Sequence, residues 1–526
     1  MLITPIMALI CRAYFERGST LNDEVKRAAG EGTAPPVDLL VVGGGINGVG
    51  IARDAAGRGL SVLLVERGDL AGATSSASSK LIHGGLRYLE QYEFRLVHES
   101  LAEREVLLAA APYIVRPLRF VLPVHSGLRP PWLLRLGLFL YDHIGGRKRL
   151  PATRTVRRDR DPVFGALADG YKLGFEYSDC WADDARLVVM NALDAQQRGA
   201  RIEPGWAVTA ARRESALWNV ELTSHSGQRR SVSARALVNA AGPWVEDILR
   251  ATGAHRHRSL RLVKGSHLIV RRLYDGPQAY TLQNADGRVV FAIPYEEDFT
   301  LIGTTDIPFH GDPSQVHADG NEVAYLCGLI SGYLKTPVTP KDAVWTYSGV
   351  RPLYDDGEAS ASTVTRDYVF DMDIPAGQAP LLSIFGGKLT TYRKLAEHAL
   401  SKLLPVMQLT TTPWTRGATL PGGDIPRGDF EAFATEQQRR HAYAPPALIR
   451  RLCRSYGTRI ERILGQARQL TDLGAQIAPQ VYEAELNLMR AEEWARTGED
   501  ALWRRSKLGL HLDEQGRGKV NAWFGG

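Results

Sequence analysis

The fold of this chain is decided by residues 37–48, VDLLVVGGGING. The first six have the length and the valine and leucine content of a buried parallel strand. A glycine-rich turn follows, then an alanine-rich helical stretch closing at residues 57–59 and a second strand, 60–65, that ends in Glu66. A G-x-G-x-x-G motif alone is weak. Between a strand and a helix, with an acidic residue after the second strand, it predicts a βαβ dinucleotide-binding unit over residues 37–66.

Each part of this unit has a predicted role. Gly43 permits the tight turn, Gly45 lets the backbone approach a diphosphate, and Gly48 lets the helix pack closely on the strand. The helix N-terminus offers N–H groups and the positive end of its dipole to phosphates. Glu66 can accept a hydrogen bond from a ribose 2′-hydroxyl. The unit by itself leaves FAD and NAD both open, and its predicted cofactor contacts are Gly43, Gly45, Ile46, Asn47, Gly48 and Glu66.

The composition is that of a globular protein, with 44% hydrophobic and 23% charged residues, and its 526 residues suggest two or three domains. A formal net charge of +6 favours an anionic small molecule or an anionic membrane surface as a partner, although solubility alone also explains such a charge. It argues against a nucleic-acid-binding protein. The four cysteines are far apart with no CxxC pair, so we predict no metal site and no disulfide framework, which fits the cytoplasm. No apolar run reaches the roughly 18 residues of a membrane-spanning helix.

Longer strings along the chain carry a more specific signal. They are ATSSASSKLIHGGLRYL (73–89), GFEYSDC (174–180), NAAGPW (239–244), KGSH (264–267), IGTTD (302–306), WTYSGVRP (345–352) and FGGKLTTYRK (385–394). From about residue 37 to the C-terminus the chain resembles the FAD-dependent glycerol-3-phosphate dehydrogenases, in particular their aerobic, respiratory, membrane-associated bacterial type. Residues 1–36 depart from that pattern, and we expect them to form a mobile extension.

The resemblance implies oxidation of sn-glycerol 3-phosphate to dihydroxyacetone phosphate by hydride transfer to FAD, with the electrons passed to a respiratory quinone. It therefore implies a cytoplasmic protein peripherally attached to the inner face of the plasma membrane. A glycerol-3-phosphate oxidase that uses oxygen, an amine or amino-acid oxidase of the same fold, and a non-catalytic flavoprotein stay open as alternatives. So does assembly as a homodimer.

The resemblance also extends the set of cofactor contacts. Small hydroxyl residues can donate hydrogen bonds to phosphate and ribitol oxygens while letting the backbone come close. The family further implies that the helix beginning near Gly387 lies against the pyrimidine end of the flavin. The additional predicted contacts are Thr74, Ser75, Ser76, Ser79, Lys80, Leu81, His83, Gly84, Gly85, Ala241, Gly242, Gly387, Lys388, Leu389 and Thr390.

The substrate site is predicted from charge. A phosphate monoester needs several fixed cations, each contributing roughly 1.5–3 kcal/mol through charge-assisted hydrogen bonds. The candidates are Arg87, Tyr88, Arg351, Arg366 and Lys388, of which we expect one to be structural. For the base that accepts the hydroxyl proton, the candidates are His83 and His267, the histidines within the matching strings. An arginine-assisted path, with Arg351 as the catalytic arginine, and a water-mediated path stay open as alternatives.

The predicted architecture is α/β. An FAD-binding Rossmann-like domain of the glutathione reductase and D-amino acid oxidase type comprises residues 37–119, 170–250 and 345–404. A sheet-rich substrate domain comprises 120–169 and 251–344, and a C-terminal helical cap comprises 405–526, joined through a linker at 420–423. Residues 132–141 form an apolar segment with basic flanks, which fits either contact with anionic lipid or a buried helix. The basic segment 503–507 could face acidic lipid, another subunit or water, and exposure to solvent is the default expectation.

Overall fold

A computed structural model describes residues 35–90, 92–146, 149–254, 259–284, 288–355 and 367–525. The predicted N-terminal extension, up to residue 34, lies outside them. The strands are β1 (Val37–Val42), β2 (Val62–Glu66), β3 (Leu81–Ile82), β4 (Val115–Pro123), β5 (Arg154–Arg157), β6 (Leu173–Ala182), β7 (Arg201–Pro204), β8 (Trp206–Glu214), β9 (Leu217–Ser224), β10 (Arg229–Asn239), β11 (Leu260–Arg271), β12 (Ala279–Gln283), β13 (Val289–Tyr295), β14 (Phe299–Gly303), β15 (Ile307–Pro308), β16 (Ala343–Tyr354), β17 (Val369–Asp373), β18 (Leu381–Phe385), β19 (Gln476–Ala478) and β20 (Val481–Tyr482). The helices are α1 (Ile46–Gly57), α2 (Arg87–Glu90), α3 (Phe94–Ala110), α4 (Pro131–Ile144), α5 (Asp184–Gln197), α6 (Val245–Thr252), α7 (Gly320–Tyr333), α8 (Tyr392–Val406), α9 (Phe430–Arg440), α10 (Pro446–Tyr456), α11 (Glu461–Leu464), α12 (Glu483–Glu492), α13 (Leu508–His511) and α14 (Glu514–Gly525).

The first sheet contains the predicted βαβ unit at its centre. Its strand order is β17-β18-β10-β1-β2-β7, with β9 and β8 continuing from β10, and β18, β10, β1, β2 and β7 run parallel. Successive side chains of a strand point to opposite faces. Leu39 and Val41 accordingly pack in the cluster formed with α1, α5 and α8, while Leu40 and Val42 pack towards β8, β9 and α6. Burial on both faces explains why β1 is a continuous apolar run with one polar residue.

The second sheet has the order β15-β11-β14-β13-β12-β4-β6-β3, with β16 paired to β11 and β5 paired to β6. Four of its strands come wholly or mostly from segments predicted for the FAD-binding domain: β3, β4, β6 and β16. The two sheets therefore do not divide at the predicted domain boundaries, which stay a prediction. The apolar pattern of a buried strand does not specify which sheet it joins.

The C-terminal region is helical, as predicted, apart from the short hairpin β19–β20. The predicted linker at 420–423 was wrong, because this segment is packed against the rest of the chain. The Leu420 N–H donates to the Ala110 carbonyl at 2.9 Å. A Cβ atom on Gly423 would lie 2.1 Å from that same oxygen. The glycines therefore permit a close approach of two backbones.

The basic segment 503–507 was predicted to face solvent, and this too was wrong. Arg505 has no exposed side-chain surface and forms an ion pair with Asp69, while Lys507 pairs with Asp183. Close by, the buried Glu493 accepts hydrogen bonds from Arg186 on α5. These pairs join the C-terminal region to the first sheet and its helices.

The apolar segment 132–141 lies in α4, which has two apolar faces. Leu134, Leu138 and Tyr141 are buried against the second sheet's core. On the other face Trp132 is 68% exposed and Phe139 is 49% exposed. Of the basic flanks, Arg129 is exposed, and residues 147–148 lie outside the described residues. Among the described residues no helix is both long and apolar enough to cross a membrane.

Candidate active site

One large cavity, of about 1110 Å³, lies between the two sheets. Its walls include five parts of the chain: the glycine-rich turn, the segment 65–88, the turn 240–244, the strand β16 and the segment 386–390. Single small-molecule pockets typically measure about 300–1,000 Å³, so this cavity has room for a dinucleotide and a small substrate.

The glycine-rich turn presents bare backbone to the cavity. Gly43 has φ +115°, and a Cβ atom there would lie 2.4 Å from the Ala240 carbonyl oxygen. A Cβ atom on Gly48 would lie 2.0 Å from the Gly43 oxygen, so Gly48 sets the close packing of α1 and does not itself line the cavity. Gly45 precedes α1 and lines the cavity. This cradle at a helix N-terminus fits the diphosphate of FAD.

Glu66 ends β2 at the same end of the cavity. Its carboxylate accepts the Gly44 N–H at 2.7 Å and the Gly68 N–H at 2.8 Å. Burial raises the pKa of Glu66, and these two hydrogen bonds oppose that rise. The carboxylate therefore ties the loop after β2 to the glycine-rich turn while it faces the cavity.

The hydroxyl-rich segment 74–79 lines the middle of the cavity, and several of its hydroxyls also bind protein groups. Ser75 Oγ accepts the Ile46 N–H at 3.0 Å, and Thr74 Oγ1 donates to the Val350 carbonyl at 2.6 Å. Lys80 is buried, and its Nζ lies 2.8 Å from Asp184, so its charge is neutralised within the protein. These bonds hold the segment against the glycine-rich turn and β16.

Asn47 supplies a further test of fit. Its Nδ2 donates to the Gly386 carbonyl at 3.1 Å. Its buried Oδ1 has no hydrogen-bond partner among the described residues, although Asn47 lines the cavity. A buried acceptor without a partner is unfavourable unless a ligand satisfies it. The residues present therefore fit a bound dinucleotide.

The segment 386–390 also lines the cavity. Gly386 and Gly387 have φ of +77° and +99°, and a short 3₁₀ turn, Leu389–Thr391, precedes α8. Thr390 Oγ1 accepts the His83 N–H at 3.3 Å. Lys388 Nζ lies 3.8 Å from the centre of the Tyr88 ring, and both side chains line the cavity.

The two predicted base candidates occupy different places. His83 is partly buried and lines the cavity, with its ring centre 6.4 Å from that of Phe291. His267 is 2% exposed and lies behind the wall, where its Nε2 is 2.9 Å from Ser79 Oγ and its ring stacks on Tyr347 at 4.7 Å. Burial, with nearby Arg351 and Lys80, holds the pKa of His267 well below its usual value. His267 is therefore neutral at pH 7.

Of the predicted cations, Arg351 and Lys388 line the cavity. Arg351 is 25% exposed, and its Nη1 lies 3.0 Å from Asp306 Oδ1. Arg366 lies outside the described residues, and so does the side chain of Arg87, whose backbone is in α2.

Among the predicted cofactor contacts, Gly84 does not line the cavity, because a Cβ atom there would meet Leu101 and Tyr141 behind the wall. The other predicted cofactor contacts line the cavity: Thr74, Ser75, Ser76, Ser79, Lys80, Leu81, Gly85, Ala241, Gly242, Gly387, Leu389 and Thr390.

Sequence reasoning missed Asp179, which also lines the cavity. Its Oδ1 accepts from Arg104 Nη1 at 2.7 Å, and Tyr141 Oη donates to its Oδ2 at 2.8 Å. Burial raises the pKa of Asp179 to about 6, against the opposing effect of Arg104. Its signal was its place in the string 174–180. Five C-terminal wall residues were missed as well: Glu499, Trp503, Arg504, Lys507 and Leu510.

Comparison with known proteins identifies the cofactor chemistry. The family model described as "FAD dependent oxidoreductase" matches residues 38–393. This chain belongs to the FAD-dependent oxidoreductase family. A second model, "C-terminal domain of alpha-glycerophosphate oxidase", matches residues 414–522. The predicted fold class and the predicted FAD are thus confirmed.

Relatives and solved structures narrow the family further. The chain is 51% identical to the aerobic glycerol-3-phosphate dehydrogenase of Escherichia coli, over 93% of this chain and 97% of that one. It is also 51% identical to the D-erythritol 1-phosphate dehydrogenase of Brucella abortus, with the same shares covered. The glycerol-3-phosphate dehydrogenase from Bacillus halodurans, solved with FAD, is 26% identical, has a TM-score of 0.76, and is matched over 95% of this chain and 92% of that one. These relatives confirm the resemblance to the FAD-dependent glycerol-3-phosphate dehydrogenases.

Proposed function

We propose that this protein oxidises sn-glycerol 3-phosphate to dihydroxyacetone phosphate. The observation that carries the proposal is that Lys388, Arg351 and His83, from distant parts of the chain, line the same cavity. Two fixed cations suit a phosphate monoester, and a histidine suits a hydroxyl that must lose its proton. The 51% sequence identity with two dehydrogenases of phosphorylated polyols supports the same class of substrate.

The oxidation removes a hydride from C2 and a proton from the C2 hydroxyl. FAD supplies the two-electron acceptor for the hydride. The protein must supply the base and hold the substrate. We assign the base to His83, because it lines the cavity whereas His267 lies behind the wall. His267 then acts as a positioning residue that holds Ser79.

Arg351 and Lys388 would bind the phosphate, with Tyr88 beside Lys388. Arg87 and Arg366 complete the proposed set. Asp306 Oδ1 and Thr304 Oγ1 accept hydrogen bonds from the Arg351 guanidinium and so position it at the cavity wall. For the cofactor, we propose contacts from the glycine-rich turn, from Glu66, and from the segments 74–85, 241–242 and 387–390.

A second candidate substrate is a four-carbon polyol phosphate, which the relative from Brucella abortus favours. The two substrates share the phosphate and differ in chain length. We would mix the oxygen-free holoenzyme with sn-glycerol 3-phosphate, with D-erythritol 1-phosphate and with glycerol, and follow the flavin absorbance. Reduction fastest with sn-glycerol 3-phosphate, with dihydroxyacetone phosphate as product, supports the proposal. If D-erythritol 1-phosphate reduces the flavin faster, the second candidate is the substrate. If glycerol reduces the flavin as fast as sn-glycerol 3-phosphate does, the proposed phosphate site is contradicted.

We further propose a respiratory quinone as the final acceptor and peripheral attachment to the inner face of the plasma membrane. The support is α4, whose exposed apolar residues include Trp132 and Phe139 beside the basic Arg129. Apolar surface of this kind, rimmed by cations, suits an anionic bilayer. Sedimentation with phosphatidylglycerol vesicles tests it: Trp132→Ser with Phe139→Ser should lose binding, whereas binding as strong as that of the unchanged protein contradicts this surface.

The oxygen-using alternative makes a different prediction for the acceptor. Substrate-driven oxygen uptake should be slow and a soluble quinone should accelerate flavin reoxidation. Rapid peroxide formation without quinone would indicate an oxidase. A homodimer is compatible with this proposal, and analytical ultracentrifugation decides it.

A further inference from the structure

The loop after β2 forms part of the cavity wall and is tied to the glycine-rich turn. Arg67, Gly68 and Asp69 line the cavity next to Glu66. Besides the two bonds to Glu66, the Ala71 N–H donates to the Gly44 carbonyl at 3.1 Å. Movement of this loop would therefore disturb the backbone that cradles a dinucleotide.

The C-terminal region forms hydrogen bonds with one residue of this loop, Asp69. Arg504 Nε donates to Asp69 Oδ2 at 2.5 Å. Arg505 Nη1 donates to Oδ2 and Nη2 to Oδ1, each at 2.6 Å. One carboxylate thus accepts from two adjacent guanidiniums, which come from a position 435 residues further along the chain.

The geometry of these arginines is itself fixed. They end a π-helical turn, Asp500–Arg505, which is an uncommon element and is frequently found at functional sites. Arg505 Nε donates to the Glu493 carbonyl at 2.7 Å, and Arg504 Nη2 donates to Asp500. The guanidiniums are held towards Asp69 before any ligand enters.

The same segment reaches the cavity at two further points. Lys507 Nζ lies 3.1 Å from Asp183, the residue that caps α5 beside Asp184. The Trp503 ring stacks on Trp345 of β16 with centres 4.1 Å apart, and both rings line the cavity. Residues 500–507 therefore contact the cavity wall on the side of the loop after β2, at α5 and at β16.

We propose that residues 500–507 are a latch on the cofactor cavity: through Asp69 they hold the loop after β2, so that the C-terminal domain sets how firmly FAD is retained. Arg504 and Lys507 contribute directly to the wall that surrounds the dinucleotide. This role rests on membership of the FAD-dependent family and is independent of the substrate.

The test measures FAD release from the holoenzyme without substrate. Flavin fluorescence after dilution gives the release rate, and far-UV circular dichroism gives the unfolding temperature. Asp69→Asn should release FAD at least about tenfold faster, since a buried charge-assisted hydrogen bond is worth roughly that factor or more. The matched control is Glu436→Gln, which breaks an exposed pair with Arg439 in the same domain and should leave the release rate unchanged.

A release rate in Asp69→Asn equal to that of the control overturns the latch. The proposal is also overturned if FAD is released faster only because the whole chain unfolds at a lower temperature, since that indicates general destabilisation. If Asp69→Asn does not yield folded holoenzyme, Arg504→Gln decides, since it removes one of the two arginines and leaves the Arg505–Asp69 pair. It should raise the release rate in the same direction by a smaller factor, and an unchanged rate contradicts the proposal.

Discussion

The two ends of the cavity are built in different ways. At the nucleotide end the chain offers backbone from one short segment, and the glycines matter because they have no side chain. For the substrate we propose side chains from three distant segments that line the same cavity: His83, Arg351 and Lys388. The first end depends on steric room and the second on charge. Substitutions at the two ends should therefore fail in different ways.

The largest effect is expected at the nucleotide end. Gly43→Ala should abolish FAD binding, because its Cβ atom would lie 2.4 Å from a backbone oxygen and the turn would have to move. The ratio of flavin to protein absorbance measures this. Gly59→Ala is the control: its φ is +87°, so it carries similar backbone strain, roughly 1–2 kcal/mol, but no heavy atom lies within 4 Å of the added carbon. If the Gly43→Ala protein keeps the flavin-to-protein absorbance ratio of the unchanged protein, the steric explanation is contradicted.

At the substrate end, His83→Asn should retain FAD and slow flavin reduction. Removing a general base typically lowers the rate by about 10²–10⁴-fold. Anaerobic stopped-flow absorbance measures the rate, with His310→Asn as the control, because His310 is exposed and does not line the cavity. Reduction at the unchanged rate would show that His83 is not the base.

Arg351→Gln should weaken substrate binding by about 10–100-fold, corresponding to roughly 1.5–3 kcal/mol for a charge-assisted contact. The KM for sn-glycerol 3-phosphate should rise, while the slow reaction with glycerol, which has no phosphate, should change little. Steady-state kinetics with sn-glycerol 3-phosphate and with glycerol distinguish a loss of phosphate binding from a general loss of activity. An equal loss with glycerol would mean that Arg351 supports the wall and does not bind phosphate.

A feature of the fold or of the site could be predicted from the sequence when the residues that form it are close together in the chain. The unit β1–α1–β2 lies within thirty consecutive residues, and its pattern predicted both the elements and the glycine roles. Membership of β6 and β16 in the second sheet depends on partners far away in sequence, which an apolar pattern cannot identify. The burial of Arg505 was missed for the same reason: an arginine is buried only with a partner, and Asp69 is 436 residues away.

The smallest effect concerns Asp179 and pH. Burial raises its pKa in the folded protein to about 6, above the ordinary value of 3.8 for an aspartate. The folded state therefore holds a proton that the unfolded state has lost, so the contribution of this group to stability should fall as pH rises from about 4 to about 6. The fall is on the order of 1–3 kcal/mol. Urea unfolding at several pH values should show it, and Asp179→Asn should flatten that slope. An unchanged slope would contradict the raised pKa.

One measurement tests the central claim that this cavity holds FAD and reduces it with a phosphorylated polyol. The purified protein is placed under nitrogen, its visible spectrum is recorded, and sn-glycerol 3-phosphate is added. We predict a visible flavin band that bleaches rapidly with the substrate and much more slowly with glycerol. A folded protein that shows no flavin band, even after incubation with FAD, or a band that no polyol phosphate bleaches, would contradict the claim.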